Sequence, residues 1–229
     1  MKQEFIYGKN SVLDALEQNF PISELWVQEN INFQTKFKNV KRVSREKLNT
    51  ITDQNHQGFI AFIKPYQYAH FEQLLKHKPE NVLILDHIQD VQNLGAIIRS
   101  ANVFGINWII IPSDRAASVT PTVLKIASGG INNMNIIKAN SLLPTINSLK
   151  KEGYWVYVTA LNENAKQINE TKFNTPSVLV IGNEEKGVSS TILKNADEVI
   201  YIPQKGNVQS LNASVATGIA LYCLVNQKN

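Results

Sequence analysis

The stretch VLVIGNEEKGVSS, residues 178–190, reads as an apolar strand that runs into a glycine-bracketed loop and then into the start of a helix. The strand has no polar face, the mark of a strand buried on both sides, and such strands belong to parallel sheets covered by helices. The same texture recurs in VLILD (82–86), NWIIIP (107–112), YWVYVTAL (154–161) and EVIYIP (198–203), with helical stretches between them. A parallel α/β sheet is therefore expected from Val82 onward. Ligands in such sheets sit at the carboxyl ends of the strands, so the residues that follow Asp86, Ile111, Thr159, Ile181 and Ile202 are where chemistry is expected.

The loop nearly spells a phosphate cradle. Gly182 and Gly187 stand at the spacing of G-x-x-x-x-G-K-[ST], with Ser189 one place late, but no lysine follows Gly187. Glu184 and Glu185 occupy the loop instead and would repel a triphosphate.

Upstream, residues 1–63 show short alternating elements: SVLDALEQN as a helix, ISELWVQ as a strand and GFIAFI as a final strand. Between the last two lies TKFKNVKRVSREK, the densest basic cluster of the chain, with Lys36, Lys38, Lys41, Arg42, Arg45 and Lys47 against a single glutamate. It reads either as a solvated face or as a phosphate-docking surface that adds salt-sensitive affinity without reading sequence. KPYQYAHFEQLLKHKPEN, residues 64–81, looks like a linker with a short helix punctuated by Pro65 and Pro79. The expected domains are 1–65, a linker 66–80, and 81–229.

Composition narrows the class. The 229 residues are 43% hydrophobic with a net charge of +4, a mild basicity that suits a nucleic-acid partner without requiring one. Apolar runs are of strand length, so no transmembrane helix is expected, and MKQEFIYGKN lacks the apolar core of a signal peptide. One cysteine, Cys223, excludes an internal disulfide and a cysteine-based zinc site; the expected location is cytoplasmic. The four histidines, His56, His70, His77 and His87, show no metal spacing and read as surface or linker residues. Since the chain holds 26 Asn, an asparagine is informative only in a telling context.

Two further loops supply that context. In DHIQDVQNLGAIIRSANVFG, Asn93 reads as an N-cap and Gly105 as a stop, while Leu94, Ile97, Ile98 and Ala101 form one core-facing stripe. Arg99 lies on the flank, one turn beyond Gly95, whose missing side chain leaves room for a close approach. In IPQKGNVQSLNASVATGIALYCLV, Pro203 and Gly206 force a turn, Ser210 or Asn212 caps a helix, and Val215, Ile219 and Tyr222 form an apolar ridge. Ala213, Ala216, Gly218 and Ala220 keep that helix slim enough for another backbone or a second subunit to pack tightly.

In order and spacing, NLGAIIR, IGNEEKG and IPQKGNVQSLNASVATGIALY resemble the three motifs of the SpoU (TrmH-like) branch of the SPOUT RNA 2'-O-ribose methyltransferases, over residues 82–225. The first residues resemble the small L30e-like RNA-binding domain of one subgroup. The resemblance implies an α/β fold with a parallel-sheet SPOUT catalytic domain ending in a trefoil knot, a homodimer, S-adenosyl-L-methionine as cofactor and no metal. It implies RNA as partner, with a guanosine in the peptidyl-transferase loop of 23S rRNA as target; a tRNA target and a noncatalytic dimeric RNA-binding protein are the alternatives. Carried over residue by residue, the cofactor contacts fall on Thr159, Gly182, Ile202 and Leu211, and the catalytic set on Arg99, Asn93, Glu184, Ser210 and Asn212. Arg99 is expected to orient the 2'-oxygen or an adjacent phosphate, and Glu184 to pair with Arg99 or brace its loop. Glu185 stands where the family usually has glycine, which implies strain if the backbone there needs positive φ, and Asn132 stands where a glutamate is common.

Overall fold

A computed structural model describes residues 4–17, 20–127, 129–131, 133–207 and 210–226. The chain forms two compact units, residues 1–67 with 119–129 and residues 68–118 with 130–229.

The first unit is built on a four-stranded sheet in the order β1-β4-β2-β3, made of β1 (Phe5–Tyr7), β2 (Ile22–Gln28), β3 (Val40–Val43) and β4 (Phe59–Ile63). The apolar run of β4 places it in the middle, antiparallel to both β1 and β2, with every residue buried. Helices α1 (Lys9–Glu17) and α2 (Arg45–Asn49) are among those that belong to this unit. Leu48 of α2 packs on Ile60 and Phe62, and the Trp26 ring closes the cluster edge-on to Phe62 at 4.9 Å. Part of the basic cluster is β3 itself, an edge strand paired only with β2. Lys41 and Arg42 on such an edge discourage pairing with another chain.

His56 is buried, 5% exposed, and not the surface or linker residue its sequence context suggests. The Gly58 N–H donates to its Nδ1 at 2.9 Å, so Nδ1 carries no proton and Nε2–H donates to Asn49 Oδ1 at 2.9 Å. The imidazole is thus held neutral between Gln57 and Gly58, both left-handed, and Asn49.

The second unit carries a seven-stranded, wholly parallel sheet in the order β7-β6-β5-β10-β8-β11-β9. Its strands are β5 (Asn81–Asp86), β6 (Trp108–Pro112), β7 (Asn135–Ala139), β8 (Trp155–Thr159), β9 (Lys166–Gln167), β10 (Ser177–Gly182) and β11 (Glu198–Tyr201). The five apolar runs of the sequence are β5, β6, β8, β10 and β11. The apolar pattern misses two strands: β9, which is only two polar residues long, and β7, which Lys138 interrupts; the Lys138 ammonium bonds Ser118 Oγ at 2.9 Å and lies 4.6 Å from the Tyr68 ring centroid.

One face of this sheet, with Val82, Ile84, Val156, Val158, Val178 and Val180, is covered by α3 (Phe71–His77), α6 (Leu142–Lys151) and α7 (Ser190–Leu193). Alternate residues point the other way, toward α4 (Val91–Val103) and α8 (Ala213–Val225), which pack on each other. The remaining helix, α5 (Pro121–Ala127), belongs to the first unit. Strand β10 lies between β5 and β8, both of which precede it in the chain, so the strand order reverses direction beside β5.

Burial and the nearby Arg45 charge hold the His56 pKa below its ordinary 6.5. The folded value lies beneath the unfolded one, so this stabilisation is complete above pH 6.5 and is lost as pH falls through the folded value. Melting of the first unit, followed by amide exchange of residues 52–60, is expected to fall more steeply below pH 6.5 than in His56→Asn, which has no proton to take up.

Candidate active site

Strands β5 and β10 pair in register, Asp86 opposite Gly182, so the loops that follow them emerge side by side. The loop after β10 is a tight hairpin closed by two backbone hydrogen bonds, Asn183 N–H to Gly187 O at 3.2 Å and Gly187 N–H to Asn183 O at 2.8 Å. Asn183 Oδ1 accepts the Glu185 N–H at 2.9 Å, and its Nδ2 donates to His87 O at 3.0 Å across the sheet end. Gly182 is required by close approach: a Cβ there would lie 2.2 Å from the Gly187 carbonyl carbon. The left-handed residue of the hairpin is Gly187, φ 65°, and Glu185 is not among the residues of positive φ. The strain expected at Glu185 is therefore absent, because the turn places its reversal two residues later.

The loop after β5 starts α4 at Val91, where Asp90 is the N-cap and accepts the Gln92 N–H at 2.8 Å. Asn93 is thus not the cap expected from its position. With that task taken by Asp90, the Asn93 side chain, 6% exposed, is free to turn inward. Its Nδ2 donates to Glu184 Oε1 in the hairpin, and its Oδ1 accepts from Asn212 Nδ2 at 2.9 Å. Asn212 is the N-cap of α8, accepting the Ser214 N–H at 2.9 Å. The chain of bonds has one possible polarity. A backbone N–H at one end only donates and a carboxylate at the other only accepts, so both amides are fixed in orientation. Three residues separated by 91 and 119 positions in the sequence are joined in this way.

Asp86 supports the same junction. Buried at the end of β5, it accepts the Ser189 N–H at 2.8 Å and His87 Nδ1–H at 2.6 Å. His87 has φ 59° and lines a cavity of about 400 Å³ with Arg115, Lys186 and Ser189. Neither residue stood out in the sequence as part of the site. An aspartate closing an apolar strand was visible there, but the partner that holds it lies 103 positions away.

Of the expected cofactor residues, Gly182, Thr159 and Ile202 lie at or just past the carboxyl ends of β10, β8 and β11, three neighbouring strands. The Thr159 hydroxyl donates to Val180 O at 3.1 Å, pinning β8 to β10. Leu211 is half-buried and directly precedes Asn212; Ser210 is exposed. Arg99 is exposed on α4, two turns past Asn93. Glu184 bonds Asn93 rather than Arg99, so of the two expected roles it takes the bracing one. Asn132 lies outside the described residues.

Half of the basic cluster is committed within the first unit. Lys41 pairs with Glu24, Arg42 donates to the carbonyls of Ile31 and Phe33, and Lys47 lies 5.9 Å from the Trp26 ring centroid. Lys36, Lys38 and Arg45 make no ion pair or side-chain hydrogen bond among the described residues, so three of the six cations stand free for a partner.

The SpoU rRNA methylase family profile matches residues 80–222, the span that carries all three loops. The chain belongs to the SpoU rRNA methylase family. Residues 5–69 match the RNA 2'-O ribose methyltransferase substrate-binding domain. A Staphylococcus aureus (strain COL) protein named for the TrmH family of tRNA/rRNA methyltransferases is 37% identical over 97% of this chain and 95% of its own length. A Staphylococcus saprophyticus protein named for the same family is 34% identical over the whole of this chain and 98% of its own. Among solved structures, the AdoMet-bound rRNA methyltransferase of Sinorhizobium meliloti aligns at a TM-score of 0.73 with 25% identity, covering 97% of this chain and 87% of that one. An SpoU methyltransferase of Streptomyces viridochromogenes in complex with AdoMet shares the fold at a TM-score of 0.73 and 20% identity, over 97% and 89% of the two chains. This SpoU-family chain is an RNA methyltransferase, and S-adenosylmethionine is the family's methyl donor. Among the described residues no helix is long and apolar enough to cross a membrane, and no three His, Cys, Asp or Glu side chains gather to hold a metal ion.

The polar chain makes a measurable prediction. In urea melts, Asn93→Ala and Asn212→Ala are expected to show a coupling energy of about 0.5–3 kcal/mol in a double-mutant cycle. Asn93→Asp is expected to be less stable than Asn93→Ala at neutral pH, because it sets a second carboxylate against Glu184.

Proposed function

We propose that this chain methylates the 2'-oxygen of one guanosine in 23S rRNA, as the bacterial 23S rRNA guanosine-2'-O-methyltransferases do, with the catalytic set Arg99, Asn93, Glu184, Ser210 and Asn212. The observation that carries the reading is the bonded chain Asn212–Asn93–Glu184, which gathers the three motif loops at the point where the strand order reverses. A protein that only bound RNA would have no need to fix these three loops against one another.

The cofactor residues fit an adenosine. Gly182, Thr159 and Ile202 offer backbone groups at three adjacent strand ends, Ile202 and Leu211 offer half-buried apolar side chains, and the adjoining hairpin bears carboxylates where a polyphosphate site would need cations. When bound, S-adenosylmethionine supplies an electrophilic methyl group on a sulfonium. That group would methylate the 2'-oxygen, whose proton would leave to water or to a neighbouring phosphate. Arg99, through its guanidinium, orients the 2'-oxygen or that phosphate and stabilises the oxygen as its charge grows. Asn93 and Glu184 keep the hairpin in place, Asn212 sets the start of α8, and Ser210 offers a hydroxyl beside it.

An rRNA target is supported by the extent of the likeness. The tRNA-modifying TrmH/SpoU enzyme of A. aeolicus covers only 69% of this chain, at a TM-score of 0.59 and 29% identity, whereas the Sinorhizobium meliloti rRNA methyltransferase covers 97%. The first unit is what an rRNA enzyme adds in this reading. The insertion of β10 between earlier strands and the return of α8 onto α4 support a trefoil knot. Val215, Ile219, Tyr222 and Val225 of α8 are 36–58% exposed, and Val103, next in sequence to the Phe104 ring that meets Tyr222, is 72% exposed; these apolar side chains support a homodimer. The proposed location is the cytoplasm, where the rRNA is.

Labelled S-adenosylmethionine and total RNA from cells lacking the protein test the reaction. Label at one alkali-resistant guanosine linkage of 23S rRNA is expected; label in tRNA would change the target, and no transfer to any RNA would overturn the reading. Arg99→Ala is expected to lower kcat by about 10²-fold or more while RNA and cofactor still bind. In sedimentation, Ile219→Glu with Tyr222→Glu is expected to yield monomers.

A further inference from the structure

The first unit holds a cavity of about 500 Å³ between the end of β2, helix α2 and the loop before β4. Five carboxamides line it, Gln28, Asn49, Gln54, Asn55 and Gln57, together with the Arg45 guanidinium. Asp53 also lines it, so the two formal charges on its wall are opposite in sign. A cavity without net charge has little preference for phosphate. Carboxamides pair a donor with an acceptor at the spacing of a base edge, which suits a polar heterocycle.

Its walls are preformed. His56 anchors the loop through both ring nitrogens, to the Gly58 N–H and to Asn49 Oδ1. Gln57 Oε1 accepts the Lys9 N–H at 3.0 Å, and Gln54 N–H is held by Thr52 Oγ1 at 3.2 Å. Gln57 and Gly58 are consecutive left-handed residues, φ 49° and 81°, a conformation unfavourable for glutamine and kept by these bonds. The inner wall is thus fixed while the recognising groups stay open: the side chains of Gln54, Asn55 and Arg45 have no hydrogen bond or ion pair among the described residues, and Asn49 Nδ2 and Gln57 Nε2 are unused.

We propose that this cavity takes one unpaired nucleobase of the RNA substrate, read on its edge by Gln54 and Asn55, with Arg45 stacked on the base or paired with its phosphate. The inference rests on the reading of the chain as an RNA methyltransferase and gives its first unit a sequence-reading task. Single-stranded RNA is recognised in this manner, through splayed bases whose edges are hydrogen-bonded and whose faces are stacked on planar groups. The basic cluster then contributes only through its free members, and without base preference.

The full-length protein tests this with fluorescent ten-nucleotide RNAs of A, C or U and a ten-base-pair RNA duplex, titrated at several salt concentrations. Gln54→Ala with Asn55→Ala is expected to weaken the preferred single-stranded RNA about tenfold, flatten the preference among the three and leave the salt slope unchanged. Lys36→Ala with Lys38→Ala is expected to weaken all four RNAs alike and to reduce the salt slope, with the preference kept. Neither pair has side-chain bonds to lose, and an unchanged thermal melt confirms that the fold is intact. Wild-type binding and preference in the Gln54/Asn55 variant would overturn the proposal, as would a uniform loss accompanied by a lower salt slope. Methyl transfer by the same preparation of unaltered protein separates the two readings. Transfer with an unaffected Gln54/Asn55 variant removes the cavity alone, whereas absent transfer removes the enzymatic reading.

Discussion

Everything in the catalytic unit depends on β10 lying between β5 and β8. In-register pairing along six residues sets Asp86 beside Gly182, and from that juxtaposition the rest follows. The hairpin after β10 leans on the loop after β5 through Asn183 and His87, and Asp86 catches the start of the next helix at Ser189. Glu184 comes within reach of Asn93. A residue slip in this pairing would turn the apolar faces of β10 to the wrong layers and separate every one of these contacts.

The electrostatic character of the site is set by the same geometry. The hairpin holds the Glu184 carboxylate against Asn93, and its one lysine, Lys186, precedes Gly187 instead of following it as in a phosphate cradle. Asp90 caps α4, which releases Asn93 from local duty; Asn212 caps α8 and still has its Nδ2 to spend across the site. Asparagine is suited to this double use because it carries a donor and an acceptor on one planar group, whereas serine would not span the gap and aspartate would lack the donor.

The parallel sheet was legible in the sequence because strands buried on both faces leave continuous apolar runs, and five such runs are the five longer strands other than β7. Strand β7 was hidden by Lys138, whose charge is satisfied by Ser118 and Tyr68, neither of them a neighbour in sequence. The core stripe of α4 was equally legible, since periodicity reports burial; the cap was misassigned because Asp90 and Asn93 are both good caps and only tertiary contacts choose between them. Arg99, Glu184 and Asn212 stood out through the resemblance, but that Asn93 bonds both Glu184 and Asn212 could not be read from spacing. The basic cluster is legible only as a count: charge is visible in a sequence, while the engagement of Lys41 by Glu24, of Arg42 by two loop carbonyls and of Lys47 by the Trp26 face is not. His56 misled for the same reason, since its burial is decided by Gly58 and Asn49.

The bonded chain from Ser214 through Asn212 and Asn93 to Glu184 also fixes when the site can exist. Its links close loops of 91 and 119 residues, among the most distant pairings in the molecule, and contacts of such separation form late in folding. A growing polypeptide that had completed β5, α4 and β10 would own most of the strand ends and still lack a working site until α8 docked. In the proposed reading, competence to modify RNA would arrive with α8, and chains in which it had not docked would be inactive.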